Sequence, residues 1–300
     1  MMKTTNRFSK FWFPLTCVFL VAFVIGVVVI KYKNIETVKL NKSERFLTTD
    51  KYYNETLFLK GESEKDNDWQ INDSVTGAII PHHGLAAKYF SSFFNVISGK
   101  NIKTIILIGP NHKLVGDNPV YTSDLTWETE FGQVNADYEL VQKLTETGKV
   151  GIDDKIIEDE HSVATIMPYI AKYMPGVKVV PLVCKEINLN KIGELTEIIT
   201  ANLEPGVIVI SAVDFSHYLL AQEAVEMDKE TISVIETHNY EKLLSFGNEH
   251  LDSPTSIILL DKIMRSVGAD KFNILINSNS FEITGKSNQA TSYLFAVYGK

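Results

Sequence analysis

Ile105, Ile106, Leu107 and Ile108 form an uninterrupted apolar run, and it stops at Gly109-Pro110-Asn111-His112. A strand with no polar alternation has no solvent face, so both of its sides must be covered. Gly77 to Ile80, Val177 to Val183 and Val207 to Ile210 read as further short strands, and 272–276 and 293–298 close the chain as two more. Between them lie segments with apolar residues at helical spacing: 85–97, 134–144, 161–173, 189–203, 222–236 and 255–267. Short strands interleaved with helices predict an α/β fold, one domain with a central sheet flanked by helices on both faces. No repeat, low-complexity segment or internal linker follows residue 76, so 76–300 reads as one domain.

Upstream, the pattern changes. Residues 11–30, FWFPLTCVFLVAFVIGVVVI, are uncharged and long enough to span a bilayer as a helix. The apolar run is longer than a signal peptide's and lacks a small-residue cleavage site. The expectation is an N-terminal membrane anchor over 1–33 and a polar stalk or lead-in over 34–75. Basic residues on the two flanks do not fix orientation. The short N-terminal tail and the absence of other spans favour a domain outside the cytoplasm. The net charge of −8 excludes an extended nucleic-acid surface, which needs clustered Lys and Arg. The two cysteines, Cys17 and Cys184, fit neither a zinc ribbon nor a disulfide framework.

Four of the seven histidines stand just past predicted strand ends. PHHG places His82 and His83 after the first strand, GPNH places His112 after the second, and SAVDFSH places Asp214 and His217 after another. Ligands of open α/β sheets bind beyond the carboxyl ends of the strands. His161, in EDEHS, opens a predicted helix, where Asp159 or Glu160 suits the helix dipole. Imidazoles gathered on one rim with carboxylates nearby can hold Fe(II), Zn(II) or Cu(II). Asp214 is a candidate to orient an imidazole from behind. Other chemistries lack their signatures: there is no GxSxG elbow, GxGxxG turn or phosphate-binding loop. Ser216 and His217 are adjacent, so their side chains diverge. His83 points away from its neighbour, and His238 reads as a surface residue.

PHHG, GPNH, EDEHS followed by MPY, and SAVDFSH occur in the order and rough spacing of the Memo-like family, the proteins called AmmeMemoRadiSam system protein B. WETEFGQVNAD and VVPLVC also resemble family segments, with Glu130 where proline is usual. The resemblance covers 76–300. It implies the fold of class III extradiol dioxygenases, with His82 and His112 as metal ligands, His217 as the acid/base histidine, Asp214 fixing its neighbourhood and His161 lining the same pocket. The third ligand is where the sequence departs. Counting back from Pro254 puts His250 in the place of a family cysteine, with Glu249 beside it as the alternative.

The resemblance implies a mononuclear metal site, with Fe(II) as the first expectation and Zn(II) or Cu as alternatives. Three functions follow: a non-haem iron oxygenase, a non-catalytic metal- or peptide-binding module, and a zinc hydrolase. A small-molecule or peptide ligand is expected. The family name also links such proteins to radical SAM and AMMECR1-like partners.

Overall fold

Ile105 and Leu107 face one side of the central sheet, Ile106 and Ile108 the other, and all four are fully buried. The computed structural model describes residues 45–285 and 289–300. In chain order these residues form β1 (Leu47–Thr48), α1 (Glu55–Glu64), β2 (Gly77–Ile80), a short 3-10 turn at Gly84–Ala86, α2 (Ala87–Ile97), β3 (Thr104–Pro110), β4 (Val120–Thr122), β5 (Trp127–Thr129) and β6 (Gly132–Val134). There follow α3 (Tyr138–Thr145), β7 (Val150–Ile152), α4 (Asp154–Glu158), α5 (His161–Ala164), α6 (Met167–Tyr173), β8 (Lys178–Cys184), α7 (Leu189–Thr200) and β9 (Val207–Ala212). The chain ends with α8 (Ala221–Glu236), α9 (Tyr240–Leu244), α10 (Pro254–Ser266), β10 (Lys271–Asn279), α11 (Ser280–Thr284) and β11 (Ser292–Gly299).

The main sheet has eight strands in the order β10-β11-β2-β9-β3-β8-β4-β7. Its centre, β2-β9-β3-β8, is parallel; β10, β11 and β4 run antiparallel to their inner neighbours. A smaller sheet, β1-β5-β6, stands beside it. One apolar core holds α2, α6 and Trp127 against Ala78, Ile80, Ile105 and Leu107. The other packs α3, α7 and α10 against Ile79, Ile106, Ile108 and Val209. Side chains alternate along a strand, so consecutive apolar residues feed both cores. Register pairs Ile80 with Ala212 and Ile108 with Ser211. The exits of β2, β3 and β9 therefore fall on one edge.

Several expected boundaries move. The predicted helix over 161–173 is two, because Pro168 has no N–H to give Ala164 and is seated instead in the first turn of α6. The segment 134–144 begins as strand β6, and α3 starts only after Asp137, whose carboxylate caps it by accepting from the Leu140 N–H. From Phe46 onward the expected lead-in is folded: β1 pairs with β5, and α1 packs against α2. The expected membrane localisation is corrected. Among the described residues no helix is long and apolar enough to cross a membrane. The 11–30 segment and the anchor assigned to 1–33 lie outside those residues.

Candidate metal centre

His82 follows β2 directly after Pro81, and it is 2% exposed. Its Nδ1 lies 3.0 Å from the carbonyl oxygen of Ala212 at the end of β9. A carbonyl only accepts, so Nδ1 carries a proton and donates, and Nε2 points away from the strand. The same β9 exit supplies Asp214, whose Oδ1 accepts from the backbone N–H groups of His82 at 2.9 Å and His83 at 3.2 Å. Asp214 thus pins the turn that presents His82.

His112 is aimed in the same manner by a different carboxylate. Its Nδ1 sits 2.8 Å from Glu160 Oε1, and its backbone N–H donates to Glu160 Oε2 at 3.0 Å. Glu160 also caps α5 by accepting from the Ser162 N–H, and its Oε1 is 3.1 Å from His161 Nδ1. The carboxylate orients two imidazoles at once. The His112 and His161 rings stack at 4.2 Å, and His82 stands edge-on to both, at 5.1 Å and 4.9 Å. This close approach depends on Gly109, where a Cβ would lie 2.4 Å from Ser162 Oγ.

Between the two imidazoles sits Asp252, a residue that the sequence reading passed over. Its Oδ2 is 3.2 Å from His82 Nε2 and 3.4 Å from His112 Nε2. Neither contact has hydrogen-bond geometry, and both of its carboxylate oxygens are buried without a hydrogen-bond partner. Leaving a buried carboxylate without a hydrogen bond is expensive. A bound cation facing Asp252, His82 and His112 removes that cost, so the donor set fits a metal ion. Two overlapping groups have ligand atoms within 4.8 Å of one another: His82, His112 and His161, and His82, Asp214 and Asp252.

The electrostatics agree. Burial pushes the His82 imidazole down, but the Asp214 and Asp252 carboxylates reverse this and raise it to about 10. Burial likewise lowers His112, and the adjacent Asp252 and Glu160 carboxylates lift it to about 9. Burial pushes the carboxyls of Asp252 and Glu160 up, and the neighbouring histidines hold both well below the usual carboxylate range. Carboxylates and imidazoles on this edge hold one another in their charged forms.

The other residues named from the sequence divide. Asp214 and His161 join the cluster. His217 lies on the β9 exit, half-buried, with a buried Nδ1 that has no partner. His83 turns aside, with Nδ1 3.0 Å from the Tyr293 hydroxyl. His250 is not brought to the cluster: its Nδ1 is 2.9 Å from Thr231 Oγ1, and its ring stacks on Phe246 at 3.7 Å. Glu249 is exposed. The reason is local pairing. Leu251 bridges Phe215, and the Asp252 N–H donates to the Asp214 carbonyl at 3.1 Å, so residue 252 lies beside residue 214. Counting from Pro254 could not see that pairing. An acidic residue next to the Ser253 cap of a helix was the available signal.

Comparison with known proteins places the chain in a family. The family model described as Memo-like protein matches residues 57–297. A MEMO1 family protein of Nitrosopumilus maritimus is 24% identical over 235 residues, covering 76% of this chain and 86% of its own. A MEMO1 family protein of Aquifex aeolicus is 29% identical over 201 residues, covering 65% and 74%. Among solved structures, an uncharacterized protein from Escherichia coli K12 is similar with a TM-score of 0.55 at 11% identity, over 75% of this chain and 100% of that one. That last likeness is one of fold.

Proposed function

The chain belongs to the Memo-like protein family, and from that premise we propose that it is a mononuclear metal protein whose ion is held by His82, His112 and Asp252. The observation that carries this reading is Asp252: a buried carboxylate with no hydrogen bond, set between two imidazoles whose Nε2 atoms face it. Two histidines and one carboxylate form the donor set of non-haem Fe(II) oxygenases, which leaves positions for oxygen and substrate. Fe(II) is accordingly the proposed metal, and an oxygenase acting on a small, metal-chelating substrate is the proposed activity. Bound iron would supply a shared site for oxygen and substrate.

The chain's own residues do the rest. Ala212 and Glu160 fix the tautomers of His82 and His112, so both present Nε2. Asp214 holds the turn bearing His82 in place. His161, whose side chain is 41% exposed, lies on the open side of the cluster and would contact the ligand. His217 would move a proton to or from the substrate's reacting oxygen, a task its unpartnered Nδ1 leaves it free to perform.

Metal analysis of anaerobically purified protein tests the proposal, together with oxygen uptake on catechol-type substrates. One equivalent of iron, lost in a His82→Ala/His112→Ala double variant, is expected. Zinc in place of iron, with ester or amide cleavage and no oxygen uptake, would move the reading to a hydrolase. A full metal complement in the double variant would remove the site assignment altogether.

A further inference from the structure

Two residues after β8 ends at Cys184, Glu186 reaches across to the first turn of α10. Its Oε2 accepts from the Thr255 hydroxyl at 2.8 Å and the Thr255 N–H at 3.3 Å, and its Oε1 accepts from the Ser253 hydroxyl at 3.1 Å. The Thr255 hydroxyl in turn accepts from the Ile187 N–H at 3.1 Å. Ser253 and Thr255 are fully buried. Glu186 is an exposed residue, yet its carboxylate is engaged by these donors. Ser253 also accepts from the Ser256 N–H as the cap of α10, so the helix has a cap of its own. The additional carboxylate ties that cap to the exit of a central strand.

Asp252 is the residue immediately before this clamp. Its carboxylate makes no hydrogen bond that would aim it. Its direction is set by the backbone: the N–H is held by the Asp214 carbonyl on one side, and on the other side Ser253 is held by Glu186. We propose that Glu186 is a positioning residue of the metal centre, acting through Ser253 to keep the Asp252 carboxylate directed at His82 and His112. This rests on the metal reading given above. Groups that orient a ligand from behind typically matter 10- to 100-fold in metal affinity.

Titration of the full chain with Co(II), followed by its visible absorption, tests the proposal alongside thermal unfolding of the metal-free protein. The wild type is expected to bind one equivalent. Glu186→Ala is expected to bind about 10- to 100-fold more weakly with an altered band shape, and Glu186→Gln, which keeps an acceptor oxygen, to recover most of both. A residue that only capped α10 would lower the unfolding temperature while leaving affinity and spectrum unchanged, and that result overturns the proposal. Should Glu186→Ala fold too poorly to titrate, Ser253→Ala cuts the same link from its other end and must reproduce the spectral change. If the wild type takes up no Co(II), the metal reading itself fails and the positioning role falls with it. If the wild type binds and the variants match it, only the positioning role fails.

Discussion

Asp252 and His250 are two residues apart and have opposite surroundings. The His250 ring is satisfied by Thr231 and by stacking on Phe246, whereas the Asp252 carboxylate has two imidazoles in front of it and no hydrogen bond. Asp252→Asn preserves shape and removes the charge that a metal would neutralise. It is expected to lower the metal content of purified protein to a small fraction of one equivalent, measured by elemental analysis. His250→Ala is expected to keep full metal while lowering stability by about 1–3 kcal/mol, the cost of a lost buried hydrogen bond and ring contact, read from a urea midpoint. The opposite pattern, metal lost in His250→Ala and kept in Asp252→Asn, would restore the ligand expected from the sequence. The histidines after β2 and β3 were legible because a strand exit is visible as an apolar run that stops. Asp252 was not, because its position depends on Leu251 pairing with Phe215, a contact between segments far apart in sequence.

At the scale of elements, the site depends on how closely α5 approaches β3. Gly109 lies within β3, paired with Val183, rather than in a turn, and its constraint is lateral. An added Cβ would meet Ser162 Oγ at 2.4 Å and Ser162 Cβ at 2.8 Å. Ser162 donates to the Pro110 carbonyl at 3.1 Å, so it cannot swing clear without losing that bond. Gly109→Ala is therefore expected to destabilise the fold by about 1–3 kcal/mol, the usual cost of overpacking. Because Glu160 and His161 ride on α5, the same change is expected to weaken metal binding. Gly109→Ala combined with Ser162→Gly removes the clash and should recover part of both losses. A double variant no better than the sum of the singles, by urea unfolding, would show that the contact is not the cause. The sequence pattern predicts a single helix from His161 to Tyr173, of which α5 is the first turn. It cannot show which strand the helix abuts.

Across the whole molecule, the central strands and the large helices were readable because consecutive apolar residues must feed two cores. The β1-β5-β6 sheet and the strands β4 and β7 at one end of the main sheet were not. Strands of two or three residues are too short to display a period, and they exist because segments distant in sequence supply their hydrogen bonds, as β1 does for β5 and β7 for β4. The two-core arrangement has a consequence at high pH. Tyr169, Tyr293 and Tyr298 are 5%, 0% and 1% exposed, and burial pushes all three phenols well above their ordinary range. In the unfolded chain they ionise near pH 10. Above that pH the unfolded state releases protons that the folded state keeps, so stability falls as pH rises. Below it, the three phenols are protonated in both states and contribute no pH dependence. Each contributes a slope of up to about 1.4 kcal/mol per pH unit, and three together can erase a stability of about 5–15 kcal/mol within a few units above pH 10. In an alkaline titration, the last part of the phenolate absorbance near 295 nm should therefore rise together with the loss of near-ultraviolet circular dichroism. Complete phenolate formation while that dichroism is intact would mean that these rings are open to water, and that the core beneath the metal centre is looser than its packing implies.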